Sequence, residues 1–250
     1  MQTEKIVTAC VLVIGNEILS GRTQDVNLNY IAKGLNKAGV RLKEARVIPD
    51  VPEAIVAAVN EGRAQYDYVF TTGGIGPTHD DITAECVARA FGVPLVLDPE
   101  AKRILEGLYR PGDLNEARLR MARVPEGASL VHNPISGAPG FRIGNVFVLA
   151  GVPQIMQAMF DGVAGGLSGG RPMLSRTVTS GLPEGVLAQG LTEIQERHPE
   201  IDIGSYPWYR RGAFGTSLVL RGTDADRLGA ATAEVVALVK NLGGTPREEE

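Results

Sequence analysis

The sequence predicts an α/β fold: a large domain on a mostly parallel sheet, followed by a small α/β domain. Three observations predict it. Residues 6–15 (IVTACVLVIG) form an almost continuous apolar run rich in β-branched residues, the pattern of a strand buried on both faces. Strand-like and helix-like segments then alternate as far as residue 164. The run 162–172 places five glycines in eleven residues, which marks a junction between domains at 1–168 and 171–245.

Each element has a local reason. Leu28, Ile31, Leu35 and Ala38 recur at spacings of three and four, so 26–38 reads as an amphipathic helix, capped by Asp25 and stopped at Gly39. Residues 40–48 are a second strand, and Asp50-Val51-Pro52 opens a helix with proline in its first turn. Residues 66–72 are a third strand running straight into Gly73-Gly74-Ile75-Gly76-Pro77, and a helix covers 81–91. Residues 99–123 are helical in pattern with a break at Pro111-Gly112. Extended stretches follow near 129–132, 140–143 and 146–149, the last two joined as a hairpin by Gly144-Asn145. Gly151-Val152-Pro153 starts a helix that reaches 164. Beyond the junction come a strand (173–179), a helix (184–198), two strands (201–206 and 213–221) and a helix (224–242) that opens on the capping pattern Thr223-Asp224-Ala225-Asp226. The polar tail 245–250 is expected to fray.

Composition narrows the function. Of 250 residues, 44 % are hydrophobic and 22 % charged, which is a globular and not a disordered balance. The 31 glycines follow no three-residue period, so collagen is excluded. Aromatics at 5 % argue against a base-stacking single-strand binder. A net charge of −4 and a pI of about 5.5 are not the footprint of a nucleic-acid or membrane-surface protein. Cys10 and Cys86 cannot build a disulfide framework or a Cys-based zinc site, and each reads as a buried thiol of a reducing compartment. The N-terminus lacks a secretory signal plan and no apolar stretch is long enough to span a membrane, so the cytoplasm is the expected location.

In an open α/β sheet, ligands bind beyond the carboxyl ends of the strands. Three polar, glycine-bearing segments fall there. The first is 15–21 (GNEILSG), which offers Asn16, Glu17 and Gly21, with Asp25 and Asn27 just after it. The second is 71–83 (TTGGIGPTHDDIT), and the third is Gly151-Val152-Pro153. The loop 133–140, with Ser136 and Gly137, borders the same crevice. In the second segment, Gly73, Gly74 and Gly76 permit positive φ and a close approach of backbone N–H groups to an anion. Thr72, Thr78 and Thr83 add hydroxyls. Asp80 and Asp81 follow, and carboxylates beside a phosphate cradle make sense where a hard divalent cation such as Mg²⁺ bridges them. A single aspartate there would serve equally as a helix cap. Glu17 reads equally as a turn residue, and capping alone accounts for Asp25. His79 reads as a loop histidine beside a helix start and not as a base, and His132 and His198 suggest no metal cluster. There is no nucleophile elbow, no P-loop and no dinucleotide fingerprint.

These stretches resemble the molybdopterin-binding (MoCF) domain family, and within it the N-terminal part of the competence/damage-inducible (CinA) proteins. The likeness is carried by GNEILSGRTQDVN (15–27), TTGGIGPTHDDIT (71–83), NPISGAPGF (133–141) and GVP (151–153), in that order and spacing. Residues 171–250 look like the small KH-type α/β appendage that follows in those proteins. The resemblance implies a doubly wound domain of the molybdenum-cofactor biosynthesis type. It implies chemistry on an adenylyl phosphoanhydride: metal-dependent hydrolysis of ADP-ribose in CinA-like proteins, FAD hydrolysis in the related domain of eukaryotic FAD synthases, or molybdopterin adenylyl transfer. The expected activity is therefore hydrolysis of a nucleotide pyrophosphate of the ADP-ribose or FAD type. Asp80 and Asp81 would be catalytic and would hold Mg²⁺ or another divalent cation together with Glu17 and Asp25. Gly73, Gly74, Gly76, Thr78, Thr83, Asn16, Gly21, Asn27, Ser136, Gly137, Gly151 and Pro153 would line the ligand.

The alternatives are a non-catalytic pterin- or nucleotide-binding protein and adenylyl transfer. Two positions depart from the CinA pattern L-P-G-V-P-x-E-M: Ala150 stands in place of proline and Ile155 in place of an acid, which favours binding without turnover. The chain stops at 250, so the C-terminal deamidase activity of full-length CinA is expected to be absent, as is the reductase-like domain that makes FAD. The KH label implies no RNA binding, because residues 171–250 carry 9 Lys and Arg against 11 Asp and Glu, a net −2. A homodimer is expected, with Tyr206, Trp208 and Tyr209 as interface anchors or, equally, as core aromatics.

Overall fold

The computed structural model describes residues 6–110, 112–210 and 212–249, which form two compact units, 1–170 and 171–250. In the first unit the elements run β1 (Thr8–Ile14), α1 (Asn16–Leu19), α2 (Asn27–Lys37), β2 (Arg41–Ile48), α3 (Pro52–Gln65), β3 (Tyr68–Thr72), α4 (Thr83–Phe91), β4 (Leu95–Leu97), α5 (Pro99–Leu108) and α6 (Glu116–Leu119). A 3-10 turn (Arg120–Ala122), β5 (Arg123–Pro125), β6 (Ser129–Val131), β7 (Gly140–Ile143), β8 (Val146–Leu149) and α7 (Pro153–Ala164) complete it. The main sheet has the order β2-β1-β3-β8-β7-β6. Its first four strands are parallel, and β7 and β6 are added antiparallel.

Alternation along β1 explains the layers. Ala9, Val11 and Val13 face one side and pack with Ile31 and Leu35 of α2 and Met156, Met159 and Phe160 of α7. Cys10, Leu12 and Ile14 face the other and pack with Ile55 and Val59 of α3 and Cys86, Val87 and Ala90 of α4. With helices on both faces, β1 has no polar side, which is why its sequence is continuously apolar. The aromatic centre of the α2/α7 side is a stacked Phe70–Phe147 pair, centroids 5.0 Å apart, with Phe160 edge-on to Phe70 at 5.5 Å. Burial pushes the Cys10 thiol up to about 12 and the Cys86 thiol up to about 11, so both stay protonated spacers in the core.

Caps confirm some local readings and correct others. Asp25 Oδ2 accepts the Leu28 N–H at 3.0 Å at the start of α2. Asp98 caps α5 by accepting from Ala101. The stretch 99–123 is less helical than its pattern: it holds α5, the single turn α6 and the 3-10 turn, then pairs β5 with β4. Short apolar runs of three residues carry no periodicity, so the β4–β5 ribbon has no signature in the sequence. Pro111, half of the expected helix break, lies outside the described residues, and Gly112 follows at φ 90°.

The second unit runs β9 (Leu174–Ser180), α8 (Glu184–Arg197), β10 (Asp202–Arg210), β11 (Ala213–Gly222), α9 (Ala225–Asn241) and β12 (Arg247–Glu249). Its antiparallel sheet has the order β10-β11-β9-β12. A β-α-β-β-α-β chain in that order is the split βαβ, ferredoxin-like arrangement. Residues 247–249 are not frayed: their backbone pairs with β9 at Thr177–Thr179 and closes the sheet edge. Asp224, one residue beyond the expected Thr223, caps α9 by accepting from Asp226 and Arg227. Tyr206 and Tyr209 are 48 % and 77 % exposed and are not core residues. Among the described residues, no helix is long and apolar enough to cross a membrane.

Candidate functional site

The chain leaves β1 outward to β2, then returns to β3 on the opposite side of β1. The strand order therefore reverses between β1 and β3, and the loops after these strands diverge there to leave a crevice. A cavity of about 470 Å³ occupies that place. The β1 side supplies Glu17 and Thr23, the β3 side supplies 73–76 and Asp81, and the β8 side supplies 150–153 and Ile155. Asn133, Ser136, Ala138 and Met121 close the remaining wall. The size suits a nucleotide-sized ligand.

The β3 loop is shaped by contacts beneath it. Gly73 sits at φ 99°, and a Cβ there would lie 2.2 Å from the Ile14 carbonyl oxygen. Gly74 sits at φ 68°, with a Cβ position 2.2 Å from Thr83 Oγ1. Both positions require glycine on conformational and steric grounds. Thr83 is fully buried; its hydroxyl donates to the Gly73 carbonyl at 3.0 Å and its N–H to the Gly74 carbonyl at 3.0 Å. With these carbonyls held inward, the Gly74, Ile75 and Gly76 N–H groups have no acceptor among the described residues. Three successive unpaired N–H groups on a cavity wall form an anion cradle. Gly76 does not use positive φ; it makes room for Asp81, whose Oδ2 lies 2.6 Å from the Cβ position.

Each residue singled out in the sequence has a definite place. Asp81 lines the cavity, and its Oδ2 accepts from the Thr78 N–H at 2.8 Å and from the Thr78 hydroxyl. It closes the loop backward and does not cap α4, whose N-cap has no side-chain bond. Asp80 does not line the cavity. Its side chain is 63 % exposed and 4.0 Å from His79, and the nearby Thr78 side chain and its own backbone N–H hold its carboxyl below the usual range. Thr78 serves the aspartates and is absent from the wall, and buried Thr83 is a brace and not a ligand donor. Glu17 lines the cavity, whereas the Asp25 carboxylate is spent on α2.

The expected four-carboxylate set is thus not brought together. Among the described residues, no group of three or more His, Cys, Asp or Glu is gathered closely enough to hold a metal ion. Glu17 and Asp81 are the two carboxylates that share the cavity.

The remaining positions build the frame. Asn16 and Gly21 do not line the cavity; the Asn16 N–H is held by Asp50 Oδ2 at 2.8 Å, and Gly21 turns the chain at φ 72°. Asn27 is buried, donates to the Gly151 carbonyl at 2.7 Å and ties α2 to the start of α7. Gly151 backs onto Gly73, with its Cβ position 3.2 Å from the Gly73 Cα, and Pro153 opens α7 at the wall. Buried Asn133 accepts from the Ile135 and Ser136 N–H groups and donates to Ser136 Oγ and the Ala138 carbonyl. Ser136 therefore keeps its own proton for a ligand. Gly137 turns this loop at φ 76° outside the wall. Sequence reasoning missed Thr23 and Met121 as wall residues, and placed Asn133 and Val152 at the crevice only as members of their segments. An N-P-x-S loop flags Asn133, but nothing local brings Met121 to the site.

Residues 10–174 match the family model described as "Probable molybdopterin binding domain". The chain belongs to the molybdopterin-binding domain family. Residues 172–243 match a second model, "FAD synthase, middle domain". A protein of Archaeoglobus fulgidus is 36 % identical over 197 residues, covering 79 % of this chain and 84 % of its own length. A CinA-like protein of Citrifermentans bemidjiense is 44 % identical over 60 % of this chain, and the match spans only 38 % of that longer relative. The crystal structure of CinA from Thermoplasma acidophilum, a protein of unknown function, shares 33 % identity over 64 % of this chain and 98 % of that one, with a TM-score of 0.61.

Proposed function

We propose that this chain binds a nucleotide pyrophosphate of the ADP-ribose or FAD type in the switch-point cavity and hydrolyses its P–O–P bond with a divalent cation. One observation carries the reading: three unpaired N–H groups and two carboxylates, Glu17 and Asp81, line one cavity. N–H groups suit phosphate oxygens, while two carboxylates repel them unless a cation intervenes. The donor set fits such a cation when the ligand shares it. All donors are hard oxygens, and Mg²⁺ takes one or two carboxylates plus substrate phosphates. It does not fit a cation held by protein alone, because a third acid is lacking among the described residues.

In this reading the Gly74–Gly76 N–H groups hold one phosphate, and the Ser136 hydroxyl donates to a second oxygen. Glu17 and Asp81 would hold the cation, which supplies charge neutralisation and a polarised water when bound. Thr78 keeps Asp81 Oδ2 aimed, leaving Oδ1 for the cation. Water adds to one phosphorus, the bridging bond breaks, and ADP-ribose gives AMP and ribose 5-phosphate.

The test is mass spectrometry of the purified chain with ADP-ribose or FAD in EDTA, Mg²⁺, Mn²⁺, Co²⁺ or Ni²⁺. AMP is expected only with metal, and its loss is expected in Glu17→Gln and Asp81→Asn. A specific observation favours a second reading, a binding protein without turnover: Ile155, where the CinA pattern has an acid, lies on the cavity wall beside Ala150. Nucleotide binding with no product in any metal would select it, and Ile155→Glu would then be expected to raise turnover.

A further inference from the structure

A second cavity, of about 260 Å³, shares Ile75, Gly76, Asp81 and Met121 with the first and extends to the other side of Asp81. Leu95, Val124 and Phe141 give it apolar wall, and it carries four charged side chains: Asp81, Glu85, Arg120 and Arg123. Among the described residues, no Lys, Arg or His lines the larger cavity. The two arginines are therefore the cationic side chains that face this joint cleft.

Both are unspent. Three arginines fall within 118–123. Arg118 stacks on Tyr109 at 4.5 Å and donates to the Asp113 carbonyl, so its charge is engaged away from the cleft. Arg120 and Arg123 remain exposed, and their side chains have no hydrogen bond or ion pair among the described residues. They come from different local structures, the 3-10 turn and β5, and β5 is fixed by its pairing with β4. The 3-10 turn and the β5 strand that follows it thus bring two arginines to the cavity that shares Ile75, Gly76 and Asp81 with the glycine loop.

Charge balance says what they are for. A pyrophosphate diester carries two negative charges, and the joint cleft opposes it with three carboxylates, Glu17 and Asp81 in the larger cavity and Glu85 in the smaller one. One divalent cation between Glu17 and Asp81 offsets those two acids and leaves the phosphates in need of cationic partners. Guanidinium groups are suited to phosphate by their planar fork of donors. We infer that Arg120 and Arg123 form the second half of a phosphate clamp. The pyrophosphate lies across the Gly76–Asp81 edge, one phosphate on the N–H cradle and the other on the arginines. This rests on the nucleotide-pyrophosphate reading above and narrows it: the clamp selects ligands with two linked phosphates over monophosphates.

The experiment is calorimetric titration of the full chain with inorganic pyrophosphate, ADP-ribose and AMP, all in Mg²⁺. The proteins are the wild type, Arg120→Gln, Arg123→Gln and, as a control, Arg118→Gln. Each cleft variant should bind pyrophosphate and ADP-ribose about tenfold more weakly, with the loss shrinking in high salt. AMP should change less, and Arg118→Gln should match the wild type. Exposed arginines without partners leave the fold intact when replaced, and melting curves confirm it. Pyrophosphate binding that depends on both arginines, with no binding of ADP-ribose, keeps the clamp and overturns the ADP-ribose reading. Equal affinities in all four proteins, or no pyrophosphate binding by the wild type, overturns the clamp.

Discussion

Replacing Thr83 with valine tests whether the phosphate loop is held from below. Valine keeps the shape of threonine and removes one hydrogen bond, from the buried hydroxyl to the Gly73 carbonyl at 3.0 Å. The Gly73 carbonyl then loses its donor where water does not reach, which costs about 1–3 kcal/mol. In urea, with a slope of about 2 kcal/mol per molar, a loss of about 2 kcal/mol moves the midpoint down by about 1 M. The loop should also lose its set, because Thr83 is what holds the Gly73 and Gly74 carbonyls beneath the residues that line the cavity. Thr83→Ser keeps the hydroxyl and loses a single methyl, worth about 1 kcal/mol. The assay is urea unfolding by far-ultraviolet circular dichroism, paired with pyrophosphate affinity. Thr83→Val should lower both midpoint and affinity, while Thr83→Ser should lower the midpoint slightly and spare the affinity. An unchanged midpoint and unchanged affinity in Thr83→Val would refute the brace.

Two further outcomes follow from the same geometry. Asp80 points to solvent, so Asp80→Asn should leave nucleotide turnover within about twofold, while Asp81→Asn should reduce it by about 100-fold or more; steady-state rates decide between the neighbours. In the second unit, hydrogen bonds from His198 at 2.9 Å and Arg197 at 2.8 Å hold the Glu234 carboxyl below the usual range. A carboxyl with a depressed folded pKa stabilises above its unfolded value of about 4.3, and that contribution is lost as pH falls through the folded value. Glu234→Gln should therefore be less stable at neutral pH and show a shallower loss on acidification, read from melting temperatures across that range.

Much of the fold was legible because its elements are dictated locally. A strand buried on both faces must be apolar throughout, and 6–15 is. An amphipathic helix must repeat at three and four, and 26–38 does. Elements fixed by distant pairing were silent. β12 is a polar tail until β9 offers its edge. β4 and β5 are three-residue pieces that become strands through each other. The same division runs through the site. The loop 73–76 was legible because close backbone approach demands glycine. Which of two adjacent aspartates turns inward was not, because Thr78 decides it. Thr83 looked like a donor to ligand, but its place under the loop comes from the packing of α4. Arg120 and Arg123 were invisible as a pair, since Arg118 beside them carries the same charge and faces elsewhere.

The measurement that bears most directly on the central claim is anomalous diffraction from crystals of the full chain grown with Mn²⁺ and a non-hydrolysable ADP-ribose analogue. The account predicts one manganese peak coordinated by Glu17 and Asp81 together with the pyrophosphate, whose oxygens accept from the Gly74–Gly76 N–H groups. Manganese on Asp80 or Asp25, or a nucleotide bound away from the switch-point cavity, would contradict it.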